Sequence, residues 1–406
     1  MSAPSITGVR VFVTAPEGVN LVVVRVDTSE PGLYGLGCAT FHQRFAAVVA
    51  ALETHVAPLL TGRDVSQISD IGRMLHFSSY WRGGPVLNSA LSGIDMALWD
   101  IAGKRAGLPV HDLLGGRLRG AAPVYLHASG ATIEETLDHA ESLVAAGLRH
   151  VRLQTGQPGL GAYGAPGTPG GYPGAPYPDG WDVHHYLAQT PRLFAAARER
   201  LGDDVELLHD VHSRLTPKQA AVLARALEPY RLFFLEDVVA PEHYDRLPEV
   251  RAASPVPLAV GELTASVTDA ARLVTGGGVD LLRCHISAIG GLTPGHKLAV
   301  LCELHGVQTA WHAPADVSPI GAAANLALDL TSPAFGIQEG HVYADVVHEI
   351  FPGTPVIAAG YAQASTGPGW GLEFDEAAAA RHPPVLGGHE RWAATVRRPD
   401  GAIEAP

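Results

Sequence analysis

The chain opens with three runs in which apolar, mostly β-branched residues alternate with polar ones: Ile6 to Thr14, Leu21 to Asp27 and Leu33 to Thr40. A period of two turns one face of each run toward a core and the other toward water, and Pro-Glu-Gly and Glu-Pro-Gly punctuate the runs as turns. Three antiparallel strands are expected there. From Val86 to Ala106 the period changes. Leu87, Leu91, Ile94, Leu98 and Ile101 recur at steps of three and four, on one face of a helix that Gly107 and Pro109 bring to an end. Strands followed by helices make an α+β unit.

Beyond Pro123, short apolar runs alternate with amphipathic helical stretches, the pattern of a parallel sheet. Eight candidate strands follow: Val124 to Ala128, His150 to Gln154, Val205 to Asp210, Leu232 to Glu236, Leu258 to Gly261, Leu281 to Cys284, Val307 to Trp311 and Phe335 to Ile337. Eight such units predict a (β/α)8-type TIM barrel. The expected domains are an α+β capping domain over 1–122, the barrel over 123–345, and a C-terminal segment over 346–406 that returns to the cap. Thr155 to Gly180 interrupts the alternation with nine Gly and six Pro, interleaved with Tyr163, Tyr172 and Tyr177. It reads as a loop without helix or strand at the face where barrel active sites lie, either a tolerated insertion or a lid.

Composition narrows the function. A net charge of −13 from 28 basic and 41 acidic residues gives no field for nucleic acid or anionic lipid. The three cysteines, Cys38, Cys284 and Cys302, are far apart and show neither a disulfide framework nor zinc spacing, so a reducing, cytoplasmic setting is expected. No run is apolar enough to span a membrane, and Ser-Ala-Pro-Ser after Met1, in place of a basic patch and apolar run, leads to the expectation of a chain without a secretory leader.

Three of the expected strands end in an acid, Asp210, Glu236 and Glu262, at successive intervals of 26 residues. One βα unit occupies about that length, so the three carboxylates are expected at equal height in one barrel mouth. Unpaired, they would repel one another; a hard divalent cation with oxygen preference, Mg²⁺, resolves the repulsion. The plainer reading of any single acid there is a helix cap or an ion-pair partner.

Flanking motifs carry a resemblance. Ala90-Leu-Ser-Gly-Ile-Asp-Met-Ala-Leu-Trp-Asp-Ile-Ala-Gly-Lys104 and Leu113-Leu-Gly-Gly116 resemble the capping-domain helix of the mandelate racemase branch of the enolase superfamily, whose magnesium ligands are acids on the third, fourth and fifth barrel strands. Leu207-Leu-His-Asp-Val-His-Ser-Arg-Leu-Thr-Pro217, Ala226-Leu-Glu-Pro-Tyr-Arg231, Trp311-His-Ala-Pro-Ala-Asp-Val-Ser-Pro319 and Phe335-Gly-Ile-Gln-Glu339 resemble the D-mannonate dehydratase family more narrowly. The resemblance implies dehydration of an acid sugar: a base removes the proton α to a carboxylate and an acid helps the β-hydroxyl leave.

It also implies roles. Tyr163 paired with Arg152 would be the base, since a guanidinium lowers a phenol pKa that starts near ~10. His212, two residues after the first metal ligand, would be the acid, sharing a face with Asp210 if the strand continues. His127, His312 and Glu339 fall at strand ends where the family contacts substrate, and Arg283 ends the sixth strand. A Lys-x-Lys pair is absent from the second strand, Val151-Arg-Leu-Gln154, and His312 lacks the Asp partner of mandelate racemase itself.

Departures bear on the substrate. Where the family shows an Asn in the cap, Gly37-Cys-Ala-Thr-Phe-His42 offers the imidazole of His42, and Cys284-His-Ile-Ser-Ala-Ile-Gly-Gly291 replaces a family His by Ala288 while adding His285. The expectation is a Mg²⁺-dependent dehydratase of a mannonate- or gluconate-like aldonate, acting on a small molecule and assembling as a homo-oligomer. The rivals are an epimerase or racemase using His312, and an acid-sugar-binding homologue without turnover.

Overall fold

The computed structural model describes residues 4–160, 180–387 and 396–404; Tyr163, Tyr172, Tyr177 and most of the Gly/Pro-rich loop lie outside them. The chain forms two compact units. One holds Met1–Pro123, Glu262–Ala271 and Arg283–Leu386, the other Val124–Gly261, Arg272–Leu282 and Gly387–Pro406.

In the first unit, β1 (Ile6–Thr14), β2 (Leu21–Thr28) and β3 (Tyr34–Cys38) form the antiparallel meander that the alternation predicts. Val22, Val24 and Val26 point to one side and are fully buried, in one core cluster with Ile94, Ala97, Leu98 and Ile101 of helix α1 (Pro85–Ala106). Proline at its first turn fits a position with no N–H to satisfy, and α1 stops at Gly107, whose φ of +68° closes the cap without a Cβ clash.

In the second unit, β4 (Ala122–Gly130), β5 (His150–Thr155), β6 (Glu206–Asp210), β7 (Phe234–Glu236), β8 (Leu258–Val260) and β9 (Leu281–Leu282) each pair in parallel with the next. Leu207, Leu208, Phe234, Leu235, Leu258 and Val260 have no exposure, as expected where both faces of a parallel sheet are covered. Strands β10 (Gln308–Thr309) and β11 (Gln338–Glu339) bring the number to eight. The fold is therefore an α+β capping domain and a (β/α)8 barrel.

The eighth strand corrects the sequence reading. Phe335 to Ile337 is the apolar run, but the strand is Gln338–Glu339, and Phe335 contributes only a bridge to Thr309. Burial of Gln338 and Glu339 is sustained by their hydrogen bonds, which hydrophobicity does not report. The segment after Val342 contains a helix, Asp345–Ile350, and the hairpin β12 (Val356–Ala358) with β13 (Tyr361–Gln363). It then packs on the cap, where the Trp370 indole donates to the Leu36 carbonyl at 2.9 Å and Glu376 pairs with Arg10 and Arg25. Among the described residues no helix is long and apolar enough to cross a membrane.

Candidate active site

Parallel pairing sets Asp210 directly opposite Glu236 at the ends of β6 and β7. Both side chains are buried, so their mutual repulsion is little screened. Arg152 of β5 offsets it: Nη1 donates to both Glu236 oxygens, at 3.1 and 3.0 Å, and lies 3.2 Å from Asp210 Oδ2. The other guanidinium nitrogen, Nη2, is 3.4 Å from Nδ1 of His127 on β4.

His212 reaches Asp210 by a route the strand pattern does not give. Extended backbone ends at Asp210, and His212 and Ser213 take φ of +50° and +60°. The shared strand face is thus not the cause; the left-handed turn is. It lets the His212 backbone N–H donate to Asp210 Oδ1 at 2.7 Å while Nε2 approaches Oδ2 at 2.7 Å. Gln154 Nε2 donates to the Asp210 carbonyl at 3.3 Å, which fixes its amide orientation, and the same NH₂ faces His212 Nδ1 at 3.3 Å. Arg214 Nη1 faces that nitrogen too, at 3.5 Å. Gln154 and Arg214 both present donors to Nδ1, which favours the neutral ring's proton on Nε2, against Asp210. Burial opposes ionisation of Asp210, but His212 and Arg152 outweigh it and hold the carboxyl well below the usual carboxylate range.

Glu262 follows Gly261 directly at the end of β8. Asp210 and Glu236 present their carboxylates at neighbouring strand ends of one unit. Two facing oxygen donors, one of them held ionised, fit a hard cation such as Mg²⁺, which keeps further octahedral positions for other oxygens.

A second group of polar side chains lines a cavity of about 280 Å³ shared by Phe41, His42, Glu262, His285, His312 and Asp316. His312 Nδ1 lies 3.4 Å from Glu262 and 3.3 Å from Glu339, and Nε2 lies 3.2 Å from Asp316. Burial favours a neutral ring, yet Glu262, Asp316 and Glu339 together raise the His312 pKa well above the ordinary imidazole range. Arg283 has no exposure; Nη2 donates to Glu339, and Nη1 is 3.7 Å from Glu262. His42 sits 3.9 Å from Asp316.

The structure thus gathers Arg152, His127, His212, Asp210 and Glu236 in one cluster and His42, Arg283, His312, Glu339 and Glu262 in another. Tyr163 lies outside the described residues. Sequence reading passed over Gln154, which orients His212, and Asp316. A period-of-two count from Arg152 finds the first, and the four-residue step from His312 finds the second.

Comparison with known proteins agrees with this architecture. Residues 3–115 match the mandelate racemase / muconate lactonizing enzyme N-terminal domain, and residues 135–378 match the enolase C-terminal domain-like family. A protein of Catenulispora acidiphila described as a D-galactonate dehydratase family member is 69% identical over 99% of this chain and 94% of its own length. A crystal structure of an enolase from Pantoea ananatis with bound D-gluconate and Mg superposes with a TM-score of 0.93. It shares 47% identity and covers 99% of this chain and 100% of that one. A putative galactarate dehydratase from Agrobacterium radiobacter, with bound Na and L-malate, gives a TM-score of 0.84 at 26% identity, covering 98% and 99%.

Proposed function

The chain belongs to the mandelate racemase / muconate lactonizing enzyme family of the enolase superfamily, and from that premise we propose that it dehydrates an aldonate of the gluconate, galactonate or mannonate kind. The product is a 2-keto-3-deoxy acid: the substrate loses the α-proton and the β-hydroxyl, together one water, and the enol tautomerises. The observation that carries this reading is Asp210 facing Glu236 beside His212, whose Nε2 lies 2.7 Å from Asp210.

Asp210, Glu236 and Glu262 would hold Mg²⁺, which when bound supplies positive charge to the substrate carboxylate and makes the α-proton removable. His212 directs Nε2 at that site, and as imidazolium it would pass the Nε2 proton to the departing hydroxyl and be left neutral. Tyr163 is the proposed base and Arg152 its partner, on the strength of the family resemblance. His312, held charged by three carboxylates, is suited to donate to substrate oxygen rather than to abstract a proton, which counts against a racemase working through it. His42, His127, Arg283 and Glu339 would contact substrate hydroxyls or carboxylate. The D-gluconate in the Pantoea ananatis protein supports an aldonate of that class, and 94% coverage of a dehydratase-family relative supports lyase chemistry.

The test is a panel of aldonates and aldarates incubated with Mg²⁺ and assayed for 2-keto-3-deoxy acid. Wild type should form product from at least one, and Glu236→Gln should lose both product and the Mg²⁺-induced rise in Tm. Product formation at the wild-type rate by Glu236→Gln, or none from any acid, would defeat the proposal.

A further inference from the structure

His285, His312 and Asp316 bring three donor atoms within 4.8 Å of one another, a spacing that could hold a transition-metal ion. The chemistry of His285 argues otherwise. Its Nδ1 lies 3.1 Å from the backbone N–H of Ser287, which can only donate, so Nδ1 offers its lone pair there. The ring proton of neutral His285 must then sit on Nε2. A protonated nitrogen is no metal ligand, and it cannot act as a base.

That tautomer is built in from behind. Ser287 has no exposure, and its hydroxyl contacts the Cys38 carbonyl at 3.4 Å and the Cys38 thiol at 3.5 Å. The turn that delivers the N–H to His285 is therefore tied to β3 of the cap. On the other side, His285 bridges to His312 through the backbone, and the two rings lie 5.1 Å apart, tilted by 30°. His285 lines the same cavity as Glu262 and Asp316, and among the described residues its side-chain hydrogen bond is made by Nδ1 and not by Nε2. A donor at the wall of a cavity keeps its bond to water until a ligand displaces that water, and the ligand must then supply an acceptor oxygen.

We propose that His285 determines specificity by donating its Nε2 hydrogen to one hydroxyl of the substrate's polyol tail. This rests on the acid-sugar reading above and deepens it: the enzyme requires an aldonate bearing a hydroxyl at that one carbon, beyond the two that react. Asp316, a carboxylate in the same cavity, can accept that hydroxyl's own proton, so one oxygen is bound in both directions and its configuration is read. A carboxylic acid lacking the tail leaves the His285 donor without that acceptor and is bound less well.

The experiment compares wild type, His285→Phe and His285→Gln, each with Mg²⁺, on the accepted aldonate and its set of monodeoxy analogues. Phe keeps the ring volume without a donor, and Gln restores an N–H near the Nε2 position. His285→Phe should lower kcat/KM about tenfold, chiefly through KM, the size of one neutral hydrogen bond. It should lose that factor against every analogue except one, whose deoxy carbon marks the partner, and His285→Gln should recover most of it. Long-range ¹⁵N imidazole spectra, assigned by the signals missing in His285→Gln, should show Nδ1 unprotonated and Nε2 protonated, which holds even if His285→Phe fails to fold.

Equal loss by His285→Phe against all analogues, no loss, an Nδ1–H tautomer, or Zn²⁺ binding that His285→Gln abolishes would each overturn the inference while leaving the dehydratase reading intact. A wild type that binds no aldonate overturns both.

Discussion

Arg152 Nη1 stands within 3.1 Å of both carboxylate oxygens of Glu236, and each of these side chains is almost completely buried. Removing one partner of such a pair leaves an uncompensated charge in a medium that screens it poorly, at about 3–5 kcal/mol. Arg152→Met should therefore unfold at a markedly lower Tm without divalent cation, because Asp210 then faces Glu236 with its strongest counter-charge gone. A cation at the same acids replaces the missing charge, so Mg²⁺ should raise the Tm of the variant more than that of wild type. Thermal unfolding of both proteins with and without Mg²⁺ checks this; equal increments would show that Arg152 and the metal do not compensate the same charges.

His212 offers a sharper separation of steps. Its Nε2–H is held against Asp210 by donors on the opposite ring nitrogen. If it protonates the leaving hydroxyl, His212→Asn should reduce dehydration by 10²–10⁴-fold, roughly the range for losing a general acid. The α-proton step uses a different residue, so the variant should still exchange that proton with deuterated solvent, read by proton NMR of recovered substrate. Loss of exchange together with loss of product would move His212 from acid to base.

How much of this was legible in the chain follows from how local each feature is. Asp210, Glu236 and Glu262 each close an apolar run, and a barrel repeats at nearly constant length, so three positions in sequence specify one height in space. Arg152 against Glu236 was not legible, since it depends on side chains reaching across β6 from a strand 84 residues earlier. His212 was identified by resemblance, but the reason it reaches Asp210, a positive φ just past the strand, has no periodic signature. The eighth strand failed for the opposite cause: its residues are polar because they face the site, and a hydrophobic pattern looks past them.

Acid stability has a specific contributor away from the site. His150, at the start of β5, is packed edge-on to Phe233 at 5.0 Å, and burial, helped by Arg149, lowers its pKa to about 4. The unfolded chain takes up this proton near pH ~6.5 while the folded protein does not until about 4, so between these values the unfolded state binds more protons and stability falls as pH falls. Above pH ~6.5 the effect is absent. His150→Gln should therefore lose less unfolding free energy than wild type between pH 7.5 and 5, measured by urea denaturation at each pH. A steeper loss in the variant would contradict the sign.

The cap depends on a contact that only glycine allows, and the contact reaches the site. A Cβ at Gly37 in β3 would lie 1.9 Å from the Gly93 carbonyl oxygen and 2.7 Å from its carbon, both backbone atoms of α1 that cannot rotate away. Gly37→Ala must push strand and helix apart, and overpacking of this kind destabilises by about 1–3 kcal/mol or more. The chain runs on from the end of β3 at Cys38 to Thr40 and His42. Thr40 Oγ1 accepts the Val22 N–H at 3.1 Å, and His42 faces Asp316 in the cavity. Displacement of β3 should therefore raise KM for the aldonate as well as lower Tm, with Mg²⁺ affinity unchanged because the three acids lie outside this packing. A variant that loses stability but keeps wild-type KM would show that the cap can move without disturbing the residues facing the substrate.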